Sequence, residues 1–173
     1  MQVKLKSYIP ERIDTPLTAA IKQMVRAVLF GATYPASSVK KGTGDLQHRE
    51  SIVRKRIGGY RKTAAAEGGI TGAGGILLGL ADFPLLLGIK MKLLFDIAAL
   101  YGFDVKDYRE RLFILYIFQL AFSSQQYRRN VFQHVNTWEA HVKTMPLNFE
   151  EFDWRSFEQE YRDYIDLSKM LDL

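Results

Sequence analysis

The sequence predicts an all-α fold: a single-domain helical bundle with a central Gly-rich apolar helical hairpin. Three observations support this. Apolar residues recur at helical spacing, as in Leu17, Ile21, Met24, Val25, Val28 and Leu29. Aspartates that can accept a bond from a free first-turn N–H stand ahead of the helical stretches, at Asp14, Asp45, Asp82, Asp104 and Asp153. No segment reads as a strand. The chain has 173 residues, 47% apolar and 25% charged, which suits one domain with a sizeable core.

Five or six helices follow in order. Asp14-Thr15-Pro16 opens the first, a capping side chain followed by a proline near the first turn, and Gly31 stops it. Residues 33–44 carry Pro35, Gly42 and Gly44 and read as a loop. Asp45 caps a second helix running to about Ala66. Leu46, Ile52, Val53, Ile57 and Tyr60 give it one sparse apolar face. A glycine-rich segment comes next, from Glu67 to Gly79, with a turn expected at Ala81-Asp82. Asp82 then caps a strong helix with Pro84 in its first turn, and Gly102 ends it. Asp104 caps a long helix reaching Phe132 or His141, and Met145-Pro146 closes that region. Asp153 caps the last helix, with Trp154, Phe157, Tyr161, Tyr164 and Ile165 as its stripe.

Composition excludes much chemistry. There is no cysteine, so disulfides, thiolate catalysis and cysteine metal sites are absent. His134 and His141 are two turns apart, not the single turn of H-E-x-x-H, and His48 sits among basic residues. Neither G-x-S-x-G nor a Walker-type phosphate loop occurs, and Gly72-Ala73-Gly74 fails the dinucleotide pattern. No catalytic residue, metal ligand or cofactor is expected. The N-terminus does not read as a secretory signal, so the cytoplasm is the expected location. Residues 68–89 are long enough to cross a bilayer, but Asp82 and Pro84 divide them, and two short helices fit better. Leu112 to Phe122 reads as a buried helix.

Charge is segregated. Residues 39–62 hold eight basic side chains against two acidic ones, and residues 148–173 hold eight acidic against three basic. The basic set Arg49, Arg54, Lys55, Arg56, Arg61 and Lys62 suits an anionic surface, and equally suits a solvated helix face. Small residues recur four apart at Ala64, Gly68 and Gly72, and again at Gly75 and Gly79. On a helix such rows admit another helix to backbone contact. Lys92 and Asp96 are four apart and share a face, whereas Lys90 lies on another side. They read as a structural pair, or with Glu67 and Asp82 as a polar site that lacks a nucleophile.

The stretch Ala66-Glu67-Gly68-Gly69-Ile70-Thr71-Gly72-Ala73-Gly74-Gly75 is followed by Leu80-Ala81-Asp82-Phe83-Pro84 and by Ile97-Ala98-Ala99-Leu100-Tyr101-Gly102-Phe103-Asp104. In this order and spacing the sequence resembles the EcsC family over about residues 15–125. The resemblance implies a bacterial protein, and a genomic setting in which the name-giving member is encoded beside an ABC transporter. It implies no reaction and no catalytic residues. Family members usually continue with a second glycine-containing apolar segment, so this chain is expected either to be a short member or to lack a C-terminal piece, and if that piece packs against residues 68–89, apolar surface is exposed there.

Three functions remain. The first is a non-enzymatic accessory protein at the cytoplasmic membrane face, with anionic lipid or a membrane protein such as an ABC transporter as partner. The second is a soluble helical enzyme or small-ligand-binding protein using Glu67, Asp82, Lys92 and Asp96. Nucleic-acid binding through residues 39–62 ranks last, because the aromatic interleave of single-strand binders is missing.

Overall fold

The computed structural model describes residues 11–31, 44–71 and 76–171, with side chains there except at 11–13, 64–71, 76–82, 168 and 171. Helix α1 (Glu11–Leu29) runs through the middle of an all-α bundle. It packs against α3 (Ile76–Tyr101), α4 (Tyr108–Phe122) and α7 (Trp154–Tyr164). Its predicted stripe, Leu17 to Leu29, is buried. Each such aliphatic side chain contributes about 1.5–3 kcal/mol when removed from water. Phe83, Leu87, Met91 and Phe95 come to this core from α3 at every fourth residue, and Leu112, Leu115 and Phe118 come from α4. Phe157 and Tyr161 of α7 close it, with Ile165, Leu167 and Met170 where α8 (Leu167–Leu171) begins.

Helix α2 (Leu46–Thr71) lies along α3, so the basic helix is the partner of the apolar one. The hairpin expected within residues 68–101 does not form, because α3 runs unbroken from Ile76 to Tyr101. Helix α5 (Arg128–Asn136) rests on α4 through buried Val131, and the short α6 (Trp138–His141) follows it. Among the described residues there is no strand, only an isolated antiparallel bridge between Ser123 and Ile165.

Local signals read well. Asp45 accepts the N–H of His48 at 2.8 Å, and Asp153 accepts that of Ser156 at 3.2 Å. Gly31 and Gly102 both adopt positive φ, +76° and +96°, just past the ends of α1 and α3. At Gly102 the last carbonyls are satisfied by paired bonds, Gly102 N–H to Ala99 O and Phe103 N–H to Ala98 O, each 3.1 Å. Met145 is extended ahead of Pro146.

Several boundaries differ from expectation. Pro16 and Pro84 both lie inside helices, so neither Asp14 nor Asp82 starts one, and no turn falls at Ala81-Asp82. A proline removes one helical N–H bond. The buried stripes beside them, from Leu17 onward in α1 and with Phe83, Leu87 and Met91 in α3, outweigh that loss. Asp14 instead faces Arg162 of α7 at 3.3 Å. Helix α2 passes Ala66 and continues through Gly68-Gly69 to Thr71. The long helix expected from Asp104 is two. Asp107, not Asp104, caps α4 by accepting the N–H of Arg109 at 2.9 Å. The helix then stops at Phe122, because residues 122–124 exchange helical bonds for bonds to residues 164–166 at the end of α7. Asp166 N–H meets Phe122 O at 2.9 Å, and Ser124 N–H meets Tyr164 O at 3.0 Å.

Candidate functional site

Asp96 stands on the side of α3 turned away from the main core, and it is fully enclosed. A buried carboxylate needs hydrogen-bond donors, since burying an unpaired charge is prohibitively costly. Three donors converge on its Oδ2. Arg56 Nη1 reaches it at 2.7 Å and the Tyr60 hydroxyl at 2.9 Å, both from α2, while Lys92 Nζ lies 3.5 Å away, one turn back on α3. Arg56 and Tyr60 are four apart, so a single face of α2 delivers both. Burial first, and the bond to Asp96 second, push the Tyr60 phenol above its ordinary value, so it stays protonated and donates. The two cations keep 31% and 32% of their side chains exposed. The cluster is thus closed around the acid and open around the bases. Among the described residues it offers one carboxylate held by three donors, with neither a second acid nor a nucleophile beside it. What it does is fasten α2 to α3.

Lys92 and Asp96 therefore meet as their spacing predicts. The side chains of Glu67 and Asp82 lie outside the described residues, and so do Gly72 and Gly75. Gly68 and Gly79 have helical backbone in α2 and α3. Two residues of the cluster escape sequence reasoning. Arg56 groups by composition with the outward basic residues, and Tyr60 groups with the apolar face. Their spacing of four was the available signal, but only the register of α2 on α3 points it at Asp96.

The other basic residues of α2 are placed by the helical period. Arg54 and Arg61 are two turns apart, as are Lys55 and Lys62. All four are exposed and occupy roughly a third of the helix circumference, opposite Arg56 and Tyr60. Arg54 lies 3.7 Å from Glu50. Arg49 is half-buried, its Nε enclosed without a hydrogen bond. No described side chain of α2 is buried, and Leu46 and Ile57 of its expected apolar face are exposed. At Gly58 and Gly59 an added Cβ would meet nothing within 4 Å.

His134 and His141 serve packing. His134 stacks on Tyr116, with centroids 5.2 Å apart and planes 13° off parallel, and meets His141 edge-on at 6.1 Å. Burial, then the neighbouring His141, lowers the His134 pKa. No group of His, Asp or Glu among the described residues could hold a metal ion. Lys90 lies over the Phe122 ring at 5.1 Å, and burial lowers its pKa.

A buried acid on an apolar helix, under a basic helix that runs into the E-G-x-x-T-G motif, sets the comparison with known proteins. The sequence profile of the EcsC protein family matches residues 1–173. The chain belongs to the EcsC family. It is 46% identical over 173 residues to Protein EcsC of Bacillus subtilis (strain 168), spanning 100% of this chain and 70% of that protein. It is 30% identical over 122 residues to Uncharacterized protein YdbA of the same organism, spanning 70% of this chain and 45% of that one. No solved structure matches it. EcsC membership thus extends over the whole chain, beyond residues 15–125, where the motifs lie.

Proposed function

We propose that this EcsC-family chain is a non-enzymatic accessory protein that works at the cytoplasmic face of a membrane, with the outward face of α2 against anionic lipid. One observation carries the reading: Arg54, Lys55, Arg61 and Lys62 share one exposed arc of a helix that buries no described side chain of its own. Near an anionic bilayer each basic residue is worth about 1 kcal/mol, so four supply roughly 4 kcal/mol, reduced by the nearby Glu50. No described helix is long and apolar enough to cross a membrane, and the reading is one of peripheral contact. Leu85, 54% exposed on α3, adds apolar surface on the same side of that helix as Lys92 and Asp96. A membrane protein such as an ABC transporter is the companion partner that the family resemblance implies.

Sedimentation with neutral and anionic vesicles at low and high salt tests this. Binding confined to anionic vesicles and lost at high salt is expected. Equal binding to both vesicle types, or none to either, would sink the reading. The variant should reverse Arg54, Lys55, Arg61 and Lys62 but spare Arg56, which holds Asp96.

A second reading, a small-ligand site at Asp96, has the two cations around one enclosed acid in its favour. It requires a small anion to bind at Arg56 and Lys92. Calorimetric titration with inorganic phosphate checks it, and absence of heat that Arg56→Met abolishes would remove it.

A further inference from the structure

Helix α5 has a settled inner face and an outer face with no role in the fold. Val131 is fully buried, Tyr127 stacks flat on Tyr164 of α7 with centroids 4.5 Å apart, and His134 stacks on Tyr116. These contacts, at spacings of three and four, hold the helix on α4 and α7. The outer stripe Gln125, Arg128, Arg129 and Phe132, together with Leu120 of α4, lines an open groove of about 530 Å³. Phe132 is 54% exposed, and Arg128 and Arg129 are exposed.

Two features of the groove run against what folding alone would select. The first turn of α5 holds two arginines and no acid, and Tyr127 provides no side-chain cap. The helix dipole disfavours cations at that end. Neither arginine makes an ion pair among the described residues. The aromatic ring of Phe132 stands in water beside them, although α4 and α7 offer apolar surface that other rings use. Paired cations and an exposed aromatic residue over an apolar floor are the usual anchors of a protein interface, in which arginine and aromatic residues dominate the energy.

We infer that the α4–α5 groove docks an acidic, amphipathic segment of a partner protein. The partner's carboxylates meet Arg128 and Arg129. An apolar side chain of that segment sits over Leu120 and Phe132, and Gln125 pairs with a peptide group at the rim. A bilayer is the poorer occupant. The surface is concave, and a single exposed apolar side chain, Phe132, stands on the outer face of α5, so little could enter lipid. The proposal is independent of the lipid contact assigned to α2.

The experiment is selection from a phage library of random 12-residue peptides on the full chain. Counter-selection uses an Arg128→Glu/Arg129→Glu variant. The selected peptides should be rich in Asp or Glu and carry at least one large apolar residue. They should bind the double variant about tenfold or more weakly, and Phe132→Ser similarly. All three side chains are exposed, so unchanged thermal melting of the variants is expected and verifies folding. Peptides without acidic bias, peptides that bind wild type and variant alike, or no enrichment at all each overturn the proposal. Anionic vesicles form the second arm. Vesicle binding should survive Arg128→Glu/Arg129→Glu. Its loss, with no peptide discrimination, assigns these arginines to lipid and refutes the docking site.

Discussion

Helices α1 and α2 are held in the fold by different physics. Helix α1 buries Ile21, Val25, Val28 and Leu29 completely, and three helices enclose it. Helix α2 is longer, 26 residues against 19, yet buries no described side chain. Two donors, Arg56 and Tyr60, fix it to one acid. Packing energy spreads over many contacts and tolerates no water. A polar fastening concentrates in a few groups and leaves the opposite arc of the helix exposed. The free surface is where the basic arc stands.

The largest effect that would sharpen this contrast lies in α1. Ile21→Ala should lower unfolding free energy by about 2–5 kcal/mol in a denaturant titration, because it opens a cavity in the core. Ile57→Ala on α2, at a position 37% exposed, should stay within about 0.5 kcal/mol. Equal losses at the two positions would erase the distinction between the helices.

Next comes the fastening. In a double-mutant cycle of Asp96→Leu and Arg56→Met, the acid's loss should cost more than the base's, because Lys92 and Tyr60 still serve Asp96 when Arg56 is gone. The expected coupling is about 0.5–3 kcal/mol. A coupling indistinguishable from zero would mean that α2 is held by something else.

Glycine substitutions give smaller effects of opposite sign. Gly58→Ala should raise thermal stability by about 0.4–1 kcal/mol, since the position is helical and an added Cβ meets nothing. Gly102→Ala should lower it by roughly 1 kcal/mol, because φ is +96° there. If Gly58→Ala also destabilises, then α2 lies closer to other parts of the chain than the structure shows.

Smallest in stability is the reversal of Arg54, Lys55, Arg61 and Lys62 to glutamate. Apart from its i,i+4 contact with Glu50, the arc is free, so melting should move little, while binding to anionic vesicles should fall at least about tenfold. A large fall in melting temperature would show that the arc belongs to the fold.

What could be read without a structure was local. The caps Asp45 and Asp153, the glycine stops Gly31 and Gly102, and the stripes of α1 and α7 depend on residues within a turn or two of each other. Capping geometry and helical period therefore determine them. The pairing of Lys92 with Asp96 belongs to the same class, and family membership was legible from motif order. Distant parts of the chain decided the rest. Helices α1 and α3 run through Pro16 and Pro84 because the core burial of the stripes that Leu17 and Phe83 begin exceeds the loss of one backbone bond. Helix α4 ends at Phe122 because residues 164–166 bind its last groups. Arg56 and Tyr60 turn to Asp96 because α2 settles on α3 in one register. The exposed arc is what that register leaves outside. Interactions across the chain can exceed local preference by a few kcal/mol, and a helical period shows which residues share a face without showing what that face will meet.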